Sequence, residues 1–261
     1  MILALDLGST SFKAGVFNRA LAVRGTGKCP LDYRHAPGGH IELDARHVAW
    51  AIRQAIGRAI DAAGIRPKEI RAVSVTSQAQ TFTIVDEAGR VKRPFVSWQD
   101  TRAEDAHRSL RKDPMLADFG EHSSFGEMLN VLQICQLKHL QTHCPHVIAP
   151  RYRVFSLPTY FVHRCTGRAV VDENLAAMSG LYSLVLENWW PSALEACRLS
   201  LEQLPSLVPV GSVAADTGRD ASEFGLPEGI PVVLAGNDQT AGAFGADLHE
   251  ALRRGLSSSV D

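Results

Sequence analysis

The first thirty residues constrain the fold more than any other part of this chain. Ile2-Leu3-Ala4-Leu5 is an uninterrupted apolar run, the pattern of a central strand buried on both faces. Asp6-Leu7-Gly8-Ser9-Thr10 follows as a turn, and residues 11–17 then alternate, with Phe12, Ala14 and Val16 set against Lys13, Gly15 and Phe17. A second turn at Asn18-Arg19 leads into a third strand over 21–26. A β-meander at the start of a chain is unlike a Rossmann unit, in which a helix follows the first strand.

Behind the meander, strands and helices alternate. Asp44 reads as the N-cap of a long helix closed by Gly64, with Trp50, Ile52, Ala55, Ile56, Ala59 and Ile60 on one face. Residues 70–76 form a fourth strand, and 81–85 and 91–96 bracket a turn at 86–90. The stretch 127–139 places Met128, Leu129, Leu132, Ile134, Cys135 and Leu137 at helical spacing. A strand at 154–157 precedes a helix with Pro158 in its first turn, reaching about Cys165. Residues 169–171 are extended and 189–204 helical. Strands at 208–213 and 230–234 flank a short helix at 221–225. A final helix starts at Thr240 and ends near Arg254-Gly255. This order predicts one α/β domain built on a mixed, five-stranded sheet flanked by helices.

At 261 residues, the chain should bury roughly 70–75 % of its unfolded surface, so no covalent staples are needed. A net charge of −1 excludes a strong general attraction to nucleic acid or to an anionic membrane. The five cysteines form no C-x-x-C pair and no metal-ligand spacing, and read as reduced thiols. No basic segment precedes the first apolar run, and no stretch has the length of a membrane span, so a cytoplasmic protein is expected.

Chemistry concentrates in two segments that each leave a buried strand. Asp6, past Ile2–Leu5, can orient a hydrated Mg²⁺ that bridges nucleotide phosphates. Gly8, Ser9 and Thr10 offer backbone N–H groups and hydroxyls to a phosphate, and Lys13 can neutralise it. There is no Walker pattern, and a hairpin in which Asp6, Ser9 and Thr10 bond only their own backbone is the other reading. In the second segment, 231–235 leads into Gly236-Asn237-Asp238-Gln239-Thr240. There Asp238 or Thr240 caps the following helix, and the Asp238 carboxylate can accept a proton from a substrate hydroxyl. Plain N-capping is the alternative.

These two segments, in order with the landmarks between them, resemble the FGGY family of carbohydrate kinases, within the actin/hexokinase/Hsp70 ATPase superfamily of RNase H-like folds. The landmarks are Gln78-Ala79-Gln80-Thr81, Ser97-Trp98-Gln99-Asp100-Thr101-Arg102, Leu157-Pro158 with Thr166-Gly167, Asp172 through Tyr182, Leu204-Pro205 and Gly225-Leu226-Pro227. The resemblance implies an ATP- and Mg²⁺-dependent transfer of the γ-phosphate to a ketose or polyol. It makes Asp238 the general base and lets Asp6 position Mg²⁺ through water. It brings Gly8, Ser9, Thr10 and Lys13 to the phosphates, and Ala79, Gln80, Trp98 and Asp100 to the sugar.

Some positions depart from the family pattern. Ala79-Gln80 stands where xylulose kinases usually carry Met-His and glycerol kinases Arg-Glu. Pro158-Thr159-Tyr160 lacks the acid of the usual Pro-x-Asp-Tyr. The resemblance further implies a sugar-binding domain over 1–255, a short tail at 256–261, and the absence of the second, nucleotide-holding domain. A second copy or a partner would then supply that missing wall. The competing reading is a non-catalytic sugar-binding or regulatory module. An activator ATPase of the same superfamily is disfavoured by the sugar-site landmarks and by the lack of cluster-ligating cysteines.

Overall fold

The computed structural model of the chain describes residues 1–246. The meander forms as expected, from β1 (Ile2–Leu7), β2 (Ser11–Phe17) and β3 (Val23–Pro30), each antiparallel to the next. A small hairpin, β4 (Arg34–Ala36) and β5 (His40–Leu43), leads into α1 (Ala45–Ala63). The caps of α1 are those the sequence announces. The Asp44 carboxylate accepts the Arg46 N–H at 2.8 Å, and Gly64 closes the helix at φ 63°. Its buried face is Val48, Ala51, Ile52, Ala55, Ile56, Ala59 and Ile60. Trp50 does not share it: two residues from Ile52 is about 200° around the helix, and the ring lies outside, half exposed, against His47. The helix rests directly on β3. A Cβ at Gly27 would stand 2.1 Å from the Ala55 carbonyl oxygen, so the two backbones meet with no side chain between them.

β6 (Ala72–Ser77) returns parallel to β1. β7 (Phe82–Val85) and β8 (Phe95–Val96) enclose the expected 86–90 turn. Three helices follow: α2 (Glu104–Leu110), α3 (Phe119–His122) and α4 (Gln133–His143). α4 starts later than its apolar spacing suggests, because the Gln133 N–H is taken by the distant Gln80 side chain at 2.8 Å and the preceding residues bend away. Next come β9 (Arg153–Ser156), α5 (Leu157–Thr166), β10 (Val170–Asp172) and α6 (Glu173–Ala177). The ribbon β11 (Tyr182–Ser183) with β12 (Asn188–Trp189) precedes α7 (Pro191–Ala196). The helix expected over 189–204 is reduced to α7 and one 3₁₀ turn, Leu201–Gln203, with Arg198 at φ 54° breaking the run between them. The strand expected over 208–213 is likewise two strands, β13 (Ser206–Val208) and β14 (Val213–Asp216), because Pro209 cannot donate and Gly211 turns the chain at φ 82°. β15 (Pro231–Asn237) and α8 (Asp238–Gly245) complete the described chain. The expected continuation to Arg254-Gly255 and the tail fall outside the described residues.

The main sheet is mixed and has the order β14-β15-β6-β1-β2-β3, one edge strand more than the five expected. β15, β6 and β1 run parallel at its centre. α1 and α5 cover it and share one apolar core with it. A second, five-stranded sheet, β4-β5-β8-β7-β9, packs with α2, α4 and α7 around another. Among the described residues, no helix is long and apolar enough to cross a membrane.

Candidate active site

The three parallel strands end at one edge of the sheet, the place where α/β sheets bind ligands. Asp6 pairs with Thr76 near the end of β1, and Asn237, the last residue of β15, pairs with Ser77. Two strand spacings separate Asp6 from Asn237, roughly 10 Å. The exit from β15 is tightly specified. Gly236 adopts φ 77°, and a Cβ there would lie 2.9 Å from Asn174 Oδ1. That oxygen accepts the Asn237 N–H at 2.8 Å, while Thr76 Oγ1 donates to the Gly236 carbonyl. Asn237 is the helix cap, rather than Asp238 or Thr240: its Oδ1 accepts the Gln239 N–H at 3.0 Å. Its Nδ2 donates to Asp238 Oδ1 at 3.0 Å. Asp238 therefore stands at the first helical position with Oδ1 held, and Oδ2 has no partner among the described residues.

The 8–10 turn is clamped from outside its own segment. Gln78 Nε2 donates to the Gly8 carbonyl at 3.1 Å, Tyr33 Oη to that of Ser9 at 2.7 Å, and Trp98 Nε1 to Ser9 Oγ at 2.8 Å. The Leu31 N–H bonds the exposed Thr10 through its carbonyl. Asp6 Oδ2 meets Lys13 Nζ at 3.1 Å, whereas Asp6 Oδ1 is buried without a partner. Since Lys13 is well exposed, this pair contributes little stability. A buried acceptor left open beside a lysine suits a hydrated cation held through water. Among the described residues, no three His, Cys, Asp or Glu side chains gather into a closed metal cage.

Two hollows flank this turn. A cavity of about 250 Å³ is lined by Ser9, Ala79, Gln80, Trp98 and Asp238, with an apolar wall from the 125–132 segment. An open groove of about 650 Å³ is lined by Asp6, Lys13, Lys28 and Thr76. α8 touches both, through Asp238 in the cavity and Ala241 in the groove.

Two of the residues expected at the sugar serve otherwise. Asp100 is fully buried outside the cavity: Arg102 Nε donates to both its oxygens, at 2.9 and 3.0 Å, and the Ile41 N–H to Oδ2 at 2.6 Å. Arg102 and Arg93 also share Glu42. This ion cluster fastens the loop that carries Trp98 to β5, and its carboxylate has no capacity left for a sugar. Gln80 does line the cavity, at φ 66°, but its Oε1 accepts the Gln133 N–H and its Nε2 donates to the Met178 carbonyl. It braces two walls.

The braces Gln78, Tyr33 and Asn174 escape sequence reasoning because their partners are 70, 24 and 63 residues away. Asn237 caps α8 where Asp238 or Thr240 was expected, although its residue type at the end of β15 is the signal that would have found it. Asp172, the buried N-cap of α6, accepts the Leu175 N–H at 2.9 Å. Burial pushes its carboxyl above the usual range, against the backbone N–H groups around it.

The profile of the FGGY family of carbohydrate kinases, N-terminal domain, matches residues 1–245. The chain belongs to this family. A glycerol kinase from Rhizobium rhizogenes is 29% identical over 270 residues, which cover 99% of this chain and 52% of that protein. The xylulose kinase of Rhodospirillum rubrum superposes with a TM-score of 0.86 at 23% identity, over 94% of this chain and 50% of that one. The xylulose kinase of Lactobacillus acidophilus gives 0.85 at 18%, over 94% and 50%. These likenesses establish the actin/hexokinase-like fold. This FGGY chain spans about half the length of the relatives it matches.

Proposed function

We propose that this chain is the sugar-binding lobe of an ATP-dependent carbohydrate kinase, with Asp238 as general base. The observation that carries the reading is α8. Its first residue presents a carboxylate to the cavity beside Trp98, and its next turn borders the groove that holds Asp6 and Lys13. A sugar hydroxyl at Asp238 Oδ2 gives up its proton as its oxygen attacks the γ-phosphorus, the bond from that phosphorus to the β–γ bridging oxygen breaks and ADP leaves; the Asn237 side chain holds Oδ1, and so fixes which oxygen faces the substrate. Ala79 and Trp98 line the acceptor side. Gly8, Ser9 and Thr10 hold the phosphates, and Lys13 neutralises charge on the group in transfer. Asp6 would hold Mg²⁺ through water, and the ion when bound would supply charge neutralisation to the nucleotide phosphates.

The lobe comprises residues 1–255, and a second lobe that grips the nucleotide completes the groove, from further polypeptide, a second copy or a partner. Free buried thiols at Cys29, Cys135, Cys165 and Cys197 suit a reducing, cytoplasmic setting. ADP release from Mg·ATP over a panel of pentuloses, hexuloses and alditols tests this reading. Sugar-dependent release that Asp238→Asn abolishes supports it, and release untouched by that substitution contradicts the role of Asp238. One alternative is a non-catalytic sugar-binding module. Sugar-induced stabilisation without any ADP release would distinguish it.

A further inference from the structure

The polar side chains around the 250 Å³ cavity are largely spent on the protein itself. Gln78 Nε2 bonds Gly8 and its Oε1 accepts from Thr81 Oγ1, while Gln80 is bonded at both ends of its amide. Asn237 donates to Ser77 and Asp238 and accepts from Gln239. Ser9 Oγ already accepts from Trp98. What remains open is Asp238 Oδ2, the hydroxyl proton of Ser9, the second amide hydrogen of Gln80 and the exposed Gln239 amide. The opposite wall is Phe125, Leu129, Val131, Leu132 and Met178, which offer hydrocarbon and one thioether. No lysine, arginine or histidine is among the described residues that line it.

A fully hydroxylated chain seated here would bury hydroxyls against that wall without partners, and each buried polar group left unpaired weakens binding by about ten-fold or more. A carboxylate would lack a counter-charge. We infer that the acceptor is a neutral, partly deoxygenated sugar or polyol. Its hydroxylated end meets Asp238, and its C–H-rich end packs on the 125–132 segment and Met178. The inference rests on the sugar-lobe reading and narrows the substrate class within it.

Calorimetric titration of the chain with 6-deoxyketohexoses, their 6-hydroxy parents of matched configuration, and gluconate tests this. The expected result is at least one deoxy sugar that binds about ten-fold or more tightly than its parent, with no saturable binding of gluconate. Leu129, partly exposed on the wall, provides the control: Leu129→Asn narrows the deoxy-to-parent ratio, whereas a lost fold would remove both affinities together. A parent bound as tightly as its deoxy form, saturable gluconate, or a ratio unmoved by Leu129→Asn each overturns the inference and leaves the lobe reading standing. A folded chain that binds none of these ketohexoses overturns the inference, and one that also binds no pentulose or alditol removes the lobe reading with it.

Discussion

Asp238 and Gly236 set the site from adjacent positions, and they fail differently. Asp238→Asn keeps the helix start, since Asn237 is the cap and an amide oxygen at 238 still accepts the Gln239 N–H that Asp238 Oδ1 takes at 2.8 Å, so the account predicts nearly unchanged thermal stability and abolished sugar-dependent ADP release. Gly236→Ala forces a side chain to φ 77° and toward Asn174 Oδ1 at 2.9 Å. The cost is about 1–2 kcal/mol, and denaturant unfolding measures it directly. Asp100 belongs to a third kind. Removal of one member of a buried pair leaves the guanidinium of Arg102 uncompensated, so Asp100→Ala lowers stability by about 3–5 kcal/mol. A sugar ligand would have been the wrong role for it: the arginine two residues on consumes the carboxylate first, a contact that no local pattern shows.

At the scale of elements, α1 shows what sequence can specify. Its cap, its end and the Ile52-Ala55-Ile56-Ala59-Ile60 part of its buried face follow from the 3.6-residue period and the residues at its ends, while Trp50, expected on that face, lies outside it. The Arg46 N–H holds the Asp44 carboxyl below its usual range against a small burial penalty, with Arg46, His47 and Arg34 assisting. A depressed carboxyl favours the folded state above the unfolded carboxyl range, so this contribution is lost as pH falls through the folded value. Asp44→Ala should therefore cost about 1 kcal/mol near neutrality and progressively less in acid, read from unfolding curves across pH. α4 and the 206–216 region were less legible. α4 starts where Gln80 reaches across to Gln133, and Pro209 with Gly211 splits what hydropathy alone joins. Long-range hydrogen bonds and single breakers decided these boundaries. The same holds at the site: both aspartates and the 8–10 turn were legible because each follows a buried run, whereas Gln78, Tyr33 and Asn174 act across folds of the chain.

For the whole molecule, the two cores explain the chemistry of the thiols. Cys135 and Cys197 lie in one core, Cys29 and Cys165 in the other, and burial pushes all four thiols up, Cys197 to about 12. Cys144 alone of the five is partly exposed. Mass spectrometry after brief alkylation of the native protein should find Cys144 modified and the other four protected until the fold opens. The division also places the proposed acceptor site. The cavity lies between the main sheet, which supplies Ser9 and Asp238, and the second assembly, which supplies Trp98 and the 125–132 wall.

The central claim is that this cavity holds the acceptor. The indole N–H of Trp98, bonded to Ser9 across it, is a resonance that reports on its occupancy, and Trp50 on the outer face of α1 is an internal reference. Titration of a ¹⁵N-labelled chain with neutral sugars should shift the Trp98 indole signal saturably and leave that of Trp50 in place. A Trp98 signal unmoved while a sugar demonstrably binds would put the acceptor elsewhere and contradict the account.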